Sequence, residues 1–600
     1  MVGIDPEHSR NGTRVQLATT SEMLRRFENE AQAPGRLQHP GVAQIDEAIP
    51  GAAGRVFSLD RGYNGRRRTS SGGPRRDAAM SSWSRALREE RQRRPAPRAG
   101  ADARMAAALV AVLLAGLFAR SLATLIPPLA VGDDGAYYLV QVRAILRGGT
   151  LAFPDFPLLF YLQAGAARVL SLAIEPRAAI VAAVRITDTL LPLALAVPVF
   201  LFARAFARPD DRPGRCVVAV ALVGLVAVVS GNSLRMAGGM IKNAAALPAA
   251  FLFAFASYQW LRQGRRASLA LAAAWFVLAS LTHMGGFVLS AAFGASLLAA
   301  GLATPAARPR VWLPGAVLLV SLGACLAIVH ALDPDRAQRL VHAVVAPGWL
   351  FAGSPGLLWI RGLSDEALWA LRAPAEVSLG NALGMLGVVT LWRYRLGMDA
   401  STRVLLVAST LATLALSSPL LRPDVLERLA LLAYVPGMIP AVYLVCREAG
   451  AAVVVAPLVL AVMLHGALAV KTLRQTALVP AAHAELVHFR SVLPAGRVIV
   501  IARPLLRWWV AWTMETHFST RVEPALAARG AYDAVLVLDE IRSGALGVVH
   551  GPPNMGSLGA GVRDAALLRS EAARTLAERE YFRLSALVMA PSQIRLPIPQ

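Results

Sequence analysis

The chain has 600 residues, of which 56% are hydrophobic and only 16% charged, and its mean hydropathy is +0.50. A soluble globular chain carries about 25% charged residues, so a row of soluble domains is excluded and most of the chain belongs in lipid. A net charge of +23 would point to nucleic acid on a soluble chain. Here the arginines fall in a polar head and in short gaps between apolar runs, the pattern of cytoplasmic loops, and no nucleic-acid partner is expected.

Residues 1–104 are rich in Arg, Gly, Ser and Pro, with runs such as Arg66-Arg67-Arg68 and Arg91-Gln92-Arg93-Arg94. So little apolar surface does not offset the entropy of ordering, and a disordered, basic, cytoplasmic head is expected. No signal-peptide pattern opens it. It reads as a solvated tail that fixes orientation, or as sequence upstream of a start at Met80 or Met105.

From Met105, apolar runs of about 20 residues alternate with polar gaps, each long enough to cross a bilayer as a helix. Eleven are predicted, near residues 105–131, 187–207, 216–233, 244–262, 267–282, 286–304, 311–331, 376–392, 403–420, 428–446 and 450–470. With the head inside, the basic gaps at Arg204–Arg215, Arg262–Arg266, Arg308–Arg310, Arg393–Arg403 and Arg447 all fall in the cytoplasm. The opposite gaps hold most of the acids and aromatics. Residues 132–186 then form the first outer loop. Phe156–Ala173 within it is apolar and nearly long enough to span. A spanning reading would turn the later Arg clusters outward, so a helix lying at the outer interface is expected there.

Residues 471–600 read as an extracytoplasmic α/β domain. Arg497–Ala502 and Ala534–Asp539 are predicted strands, and Asp564–Glu580 a helix. The fold class is therefore a polytopic α-helical protein of the cytoplasmic (inner) membrane. It has about eleven transmembrane helices in residues 105–470, a cytoplasmic N-terminus and a small outer domain. Cys216, Cys325 and Cys446 form neither a disulfide framework nor a metal-ligand pattern.

The most informative stretch follows the first span. Asp133 and Asp134 are adjacent acids at the mouth of a membrane helix. Neighbouring like charges raise at least one pKa, which suits a general base or a cation site. A solvated loop with a helix N-cap explains them equally well. A divalent cation is compatible with this pair, but no metal-ligand set is assigned. Lys242 is one of only two lysines, with Lys471, and sits at an outer span end near Gly238 and Gly239. It suits a phosphate approached by backbone N–H groups, or a lysine reaching to the interface. Arg428 suits forked binding of a phosphate or carboxylate, or a local pair with Glu427 or Asp424. Arg185 suits an anionic headgroup or simple interfacial anchoring.

His283 reads as a helix-end residue. Trp349, Trp359 and Trp369 lie in a long loop, as a lid or as interfacial belt residues. Trp508, Trp509 and Trp512 suit sugar stacking or packing onto the membrane, and packing is favoured.

The order of these features resembles the GT-C superfamily of membrane glycosyltransferases, which includes protein O-mannosyltransferases and the lipid A aminoarabinose transferase. The resemblance covers roughly residues 105–600. Asp133-Asp134-Gly135-Ala136-Tyr137 stands where the family has Asp-Glu-x-x-Tyr. The segment PDFPLLFYLQ, residues 154–163, is similar to a Pro-Pro-Leu-Tyr segment, and ERLALLAYVPGMIP, residues 427–440, to a late Arg-Tyr-Leu-Leu helix bearing proline. The second acid is Asp134 rather than Glu, Ala136 replaces a basic residue of some members, and Asp155-Phe156 splits the proline pair.

The resemblance implies transfer of a sugar from a polyprenyl-phosphate donor to an acceptor hydroxyl on a lipid, protein or polysaccharide. Transfer inverts the anomeric centre on the outer face and requires no assigned cofactor. Asp133 is the implied base and Asp134 its support; Tyr137, Arg185, Lys242 and Arg428 are the implied substrate-binding residues. Two alternatives are a transporter or flippase of a lipid-linked envelope intermediate, and a non-catalytic envelope assembly partner. Transporters carry ionisable residues near the midplane and internal repeats; neither pattern is visible here.

Overall fold

The computed structural model describes residues 99–132, 134–207, 213–332, 367–421, 423–448, 450–473, 478–520, 531–542 and 573–587, with scattered positions between 334 and 342. Asp133, the basic head up to residue 98, Trp349, Trp359 and the side chain of Trp369 lie outside the described residues.

Helix α1 (Ala99–Thr124) is the first apolar run. It stops short of the expected Val131 because Pro127-Pro128 follows: proline lacks the N–H a helix needs and disfavours helix in the residue before it. The first loop then folds into α2 (Gly135–Gly148) and α3 (Leu158–Leu170). At 1.5 Å per residue the 13 residues of α3 reach about 20 Å, short of a ~30 Å hydrocarbon core.

Next come α4 (Pro176–Leu190) and α5 (Ala196–Phe206), joined by a 3₁₀ turn at Leu191–Leu195 that contains Pro192. Together they make one long apolar segment, Pro176–Phe206, which begins eleven residues before the expected 187.

The bundle continues with α6 (Pro213–Val229), the short α7 (Gly231–Arg235), α8 (Ile241–Gln263), α9 (Arg266–Thr282), α10 (Met284–Ala303) and α11 (Arg308–Leu332). It closes with α12 (Ala367–Tyr394), α13 (Ala400–Leu416), α14 (Pro423–Arg447) and α15 (Ala451–Leu473). Every one of the eleven expected stretches carries helix. Among the described residues, eight helical segments are long and apolar enough to cross a membrane. Helices α9 and α13 are apolar but reach only 17 residues each.

One hydrophobic core runs through α5, α6, α8, α10, α13 and α14, and α14 is its centre: 94% of its apolar window is buried. The outer helices instead expose aliphatic and aromatic side chains such as Phe118, Val320, Trp392 and Val453. This is the surface expected of a bundle whose solvent is lipid.

The C-terminal part adds α16 (Pro480–Ser491), β1 (Val498–Ile501), α17 (Arg507–Thr513), β2 (His517–Ser519), β3 (Ala534–Glu540), β4 (Ala573–Glu578) and β5 (Phe582–Leu587). The strand order is β2-β1-β3-β5-β4. Strand β1 is parallel to both β2 and β3, with Val498 opposite Ala534, and β3, β5 and β4 are antiparallel. Both faces of β1 and β3 are buried: Val500 and Leu536 point into one cluster, Ile499 and Val535 into another. That is why both strands read as unbroken apolar runs.

The helix expected over Asp564–Glu580 is not formed where it is described: residues 573–578 are strand β4. Cross-strand pairing with β5 overrides the local helix preference of an Ala- and Glu-rich segment.

A second core fastens this domain to the first loop. Tyr138, Phe160 and Val184 from α2, α3 and α4 share a cluster with Leu486, Trp509 and Phe582. The described residues of the first loop and of the C-terminal domain thus pack against each other.

Candidate active site

Two backbone turns bring the first loop against the loop before α8. Gly132 and Gly238 both have positive φ, +78° and +74°, which glycine adopts without a Cβ clash. A Cβ on Gly132 would sit 2.4 Å from the nitrogen of Gly239, and one on Gly238 would sit 2.1 Å from the carbonyl oxygen of Val131. This close approach holds Asp134, two residues after Gly132, near Lys242, in the first turn of α8.

The Gly238 turn is itself anchored. Its N–H donates to Asp188 Oδ2 at 2.8 Å, and Asp188 pairs with Arg120 at 3.1 Å. Arg120 also donates to the carbonyls of Asp188 and Ser233, both at 3.1 Å. Both members of this pair are buried. A buried charge inside a helix bundle is retained only with such a full set of partners.

Asp134 is the N-cap residue of α2, but its side chain makes no capping hydrogen bond. Its Oδ1 accepts from the indole Nε1–H of Trp508 at 3.1 Å. Burial pushes its carboxyl above the usual range, further raised by the Asp155 charge. The Arg507 and Lys242 charges and the Trp508 hydrogen bond only partly offset this. A carboxylate in that state is a better base near neutral pH than a solvated one.

Beside it lies a buried ion pair. Asp155 accepts from Lys242 Nζ and from the Tyr137 hydroxyl through the same oxygen, Oδ2. Its Oδ1 accepts the N–H of Phe156 at 2.8 Å. Gln141 Nε2 donates to the Tyr137 hydroxyl at 2.8 Å and to the Phe153 carbonyl at 2.9 Å. Those bonds fix the 153–157 loop that carries Asp155. The Lys242 ammonium also lies 5.2 Å from the Tyr137 ring centroid and 5.3 Å from that of Phe160, within cation–π range. Burial and the Asp155 charge push the Tyr137 hydroxyl far up, so it stays protonated as a donor.

Of the expected site residues, Asp134, Tyr137 and Lys242 come together. Arg185 stands elsewhere: its guanidinium donates to the carbonyls of Thr124 (2.7 Å), Leu125 (2.9 Å) and Pro127, capping the end of α1. Arg428 is exposed in the second turn of α14. His283 is a helix-end residue, accepting the Gly285 N–H at 3.0 Å.

Sequence reasoning missed Asp155 and Arg507 and gave Trp508 a different role. Asp155 stood inside the quoted PDFP segment as a mere interruption of a proline pair. Trp508 was expected to pack onto the membrane. Instead it packs against Tyr137, Phe153 and Phe518 and bonds Asp134, while Trp509 and Trp512 are buried in the protein. Arg507, whose guanidinium lies over the Trp508 ring at 4.7 Å, completes the cationic surround. An acid between two prolines was the available signal for Asp155, and the Trp508-Trp509 pair stood out as a sugar-stacking or packing candidate; nothing local marked Arg507. Among the described residues, no group of three or more His, Cys, Asp or Glu side chains is placed to hold a metal ion.

The solved structures to which the chain is similar include two of one protein. One is ArnT from Cupriavidus metallidurans bound to undecaprenyl phosphate, at 13% identity over 80% of this chain and 97% of that one, with a TM-score of 0.47. The other is the same protein in the apo state, at 14% identity over the same shares, with a TM-score of 0.39. No protein-family model and no curated protein matches the chain.

Proposed function

We propose that this chain is a membrane glycosyltransferase that moves a sugar from a polyprenyl-phosphate donor to an acceptor hydroxyl on the outer face of the cytoplasmic membrane. The observation that carries the reading is the setting of Asp134. It is a largely buried carboxylate held above its usual range, flanked by the cations Lys242 and Arg507, at the mouth of an apolar bundle. A base and a cationic cradle side by side fit a reaction in which a proton leaves one reactant while a phosphate leaves the other. The family resemblance of the Asp-Asp-x-x-Tyr segment supports the same chemistry.

In this reading the acidic loop, Asp134 with Asp133 before it, accepts the proton of the acceptor hydroxyl. The hydroxyl oxygen forms a bond to the anomeric carbon as the bond from that carbon to the phosphate oxygen breaks. The configuration inverts and polyprenyl phosphate departs. Lys242 and Arg507 stabilise the charge that develops on the leaving phosphate, in a site where burial strengthens each such contact. Asp155 and Tyr137 hold Lys242 in place. Arg428, exposed on α14, is the remaining candidate cation for the lipid phosphate. Arg185 serves the same loop indirectly, by fixing the chain between α1 and Gly132.

The test uses membranes with wild type, Asp133→Asn, Asp134→Asn or both. A panel of polyprenyl-phosphate sugars is added, and mass spectrometry follows donor loss and release of polyprenyl phosphate. Consumption by wild type and its loss in Asp134→Asn is the expected result. Equal consumption by every variant would remove both acids from the role of base.

A further inference from the structure

Away from the site, four arginines from three helices meet at one carboxylate. Glu515 lies 2.9 Å from Arg147, 3.2 Å from Arg490, and 3.6 Å from both Arg143 and Arg177. Glu175, just before α4, adds a second carboxylate beside Arg177, so four guanidiniums face two carboxylates and two positive charges remain in a small volume. Burial, reinforced by the neighbouring arginines, lowers Arg143 to about 10 despite Glu515. Such crowding is unfavourable unless an anion relieves it.

The four do not share one task. Arg143 donates to the carbonyls of Ala511 (2.7 Å) and Trp512 (2.9 Å), and Arg177 donates to that of Trp512 (3.1 Å). Both guanidiniums also cover the Trp512 ring. These two dock the C-terminal domain on α2 and α4. Arg147 and Arg490 give Nη2 to Glu515 and are otherwise turned outward, with side chains 64% and 45% exposed. Glu515 adopts φ +56°, a left-handed conformation costly for a residue with a Cβ, and so turns its carboxylate into the cluster.

The cluster also has a level in the membrane. Arg177 is in the first turn of α4, where the candidate span Pro176–Phe206 begins. Just before it, Val169, Leu172 and Ile174 are exposed aliphatics. Exposed aliphatics beside arginines at a span end mark the depth of lipid headgroups.

We propose that this cluster is a second anion-binding site, which takes the phosphate of an anionic lipid at the membrane surface, with Glu515 as its resident counter-charge. Arginine suits the task because its planar fork matches phosphate oxygens two at a time.

The test titrates the full chain in detergent with dihexanoyl phosphatidic acid, dihexanoyl phosphatidylcholine and inorganic phosphate, followed by thermophoresis. It reads binding, so its failure is separable from failure of the transferase reading. Wild type binds the phosphatidic acid and not the phosphatidylcholine. Arg147→Gln/Arg490→Gln weakens binding at least tenfold, while Glu515→Gln tightens it severalfold, a gain that misfolding would not produce. Binding of the lipid alone assigns the site to a headgroup; equal binding of inorganic phosphate keeps the anion site but assigns it to a soluble phosphate. Absence of binding by wild type overturns the proposal. So does binding that survives Arg147→Gln/Arg490→Gln, or that is lost only in Lys242→Gln.

Discussion

Trp508 donates its indole N–H to Asp134 across 374 positions of sequence, at 3.1 Å. The bond makes α17, in the C-terminal domain, a wall of the proposed catalytic pocket rather than an appendage. It also acts on the acid directly, because a donor to the ionised carboxylate lowers its pKa.

Trp508→Phe keeps most of the ring packing and removes that donor. The pKa of Asp134 then rises further, and the acidic limb of the pH–rate profile moves to higher pH. Hydrogen bonds to charged groups contribute about 1.5–3 kcal/mol, so the expected displacement is about one to two pH units. An unmoved acidic limb would show that Asp134 is not the titrating base.

Asp134→Asn should lower sugar transfer by about 10²–10⁴-fold, the usual contribution of a general base. Stability should move the other way. The folded pKa of Asp134 lies above its unfolded value, so the folded state loses stability as pH rises from the unfolded value through the folded one. At neutral pH the neutral amide removes that cost. Thermal unfolding in detergent should therefore show Asp134→Asn at least as stable as wild type, and a large drop in its melting temperature would contradict this.

The Lys242–Asp155 pair is buried on both sides. Removing one partner leaves an uncompensated charge, which costs about 3–5 kcal/mol. Lys242→Gln and Asp155→Asn should each lower the melting temperature, and the double variant should lose less than the sum, with a coupling of about 1–3 kcal/mol. Simple additivity in this double-mutant cycle would dissolve the pair as an energetic unit.

Gly238→Ala places a Cβ 2.1 Å from the Val131 carbonyl oxygen at a φ of +74°. The substitution should cost at least about 1–3 kcal/mol. It should also lower sugar transfer, because the same turn sets Lys242 against Asp134. Gly148→Ala, with nothing within 4 Å of its added Cβ, serves as the comparison and should leave both readings near wild type. Equal behaviour of the two variants would remove the Gly238 turn from the site.

Composition alone determined that this is a membrane chain. Apolar runs of bilayer length are a local property of sequence, and all eleven stretches carry helix. The buried strands Val498–Ile501 and Ala534–Glu540 were legible for the same reason, since strands covered on both faces are continuously apolar. Asp134, Tyr137 and Lys242 could be selected because an acid pair and a rare lysine at span ends stand out against an apolar background. Local pattern misled at 573–578, where pairing with a strand nine residues onward decided the conformation.

The tertiary structure alone decided which charges meet. Asp155 became the partner of Lys242, 87 positions away, and Trp508 the partner of Asp134. Arg185 was drawn instead to the carbonyls at the end of α1. Side-chain charge and hydropathy are written residue by residue. A hydrogen bond or ion pair exists only where the folded backbone brings two groups within about 3 Å, and that distance is set here by the Gly132–Gly238 approach and by the docking of α17 on α2, neither of which has a local signature.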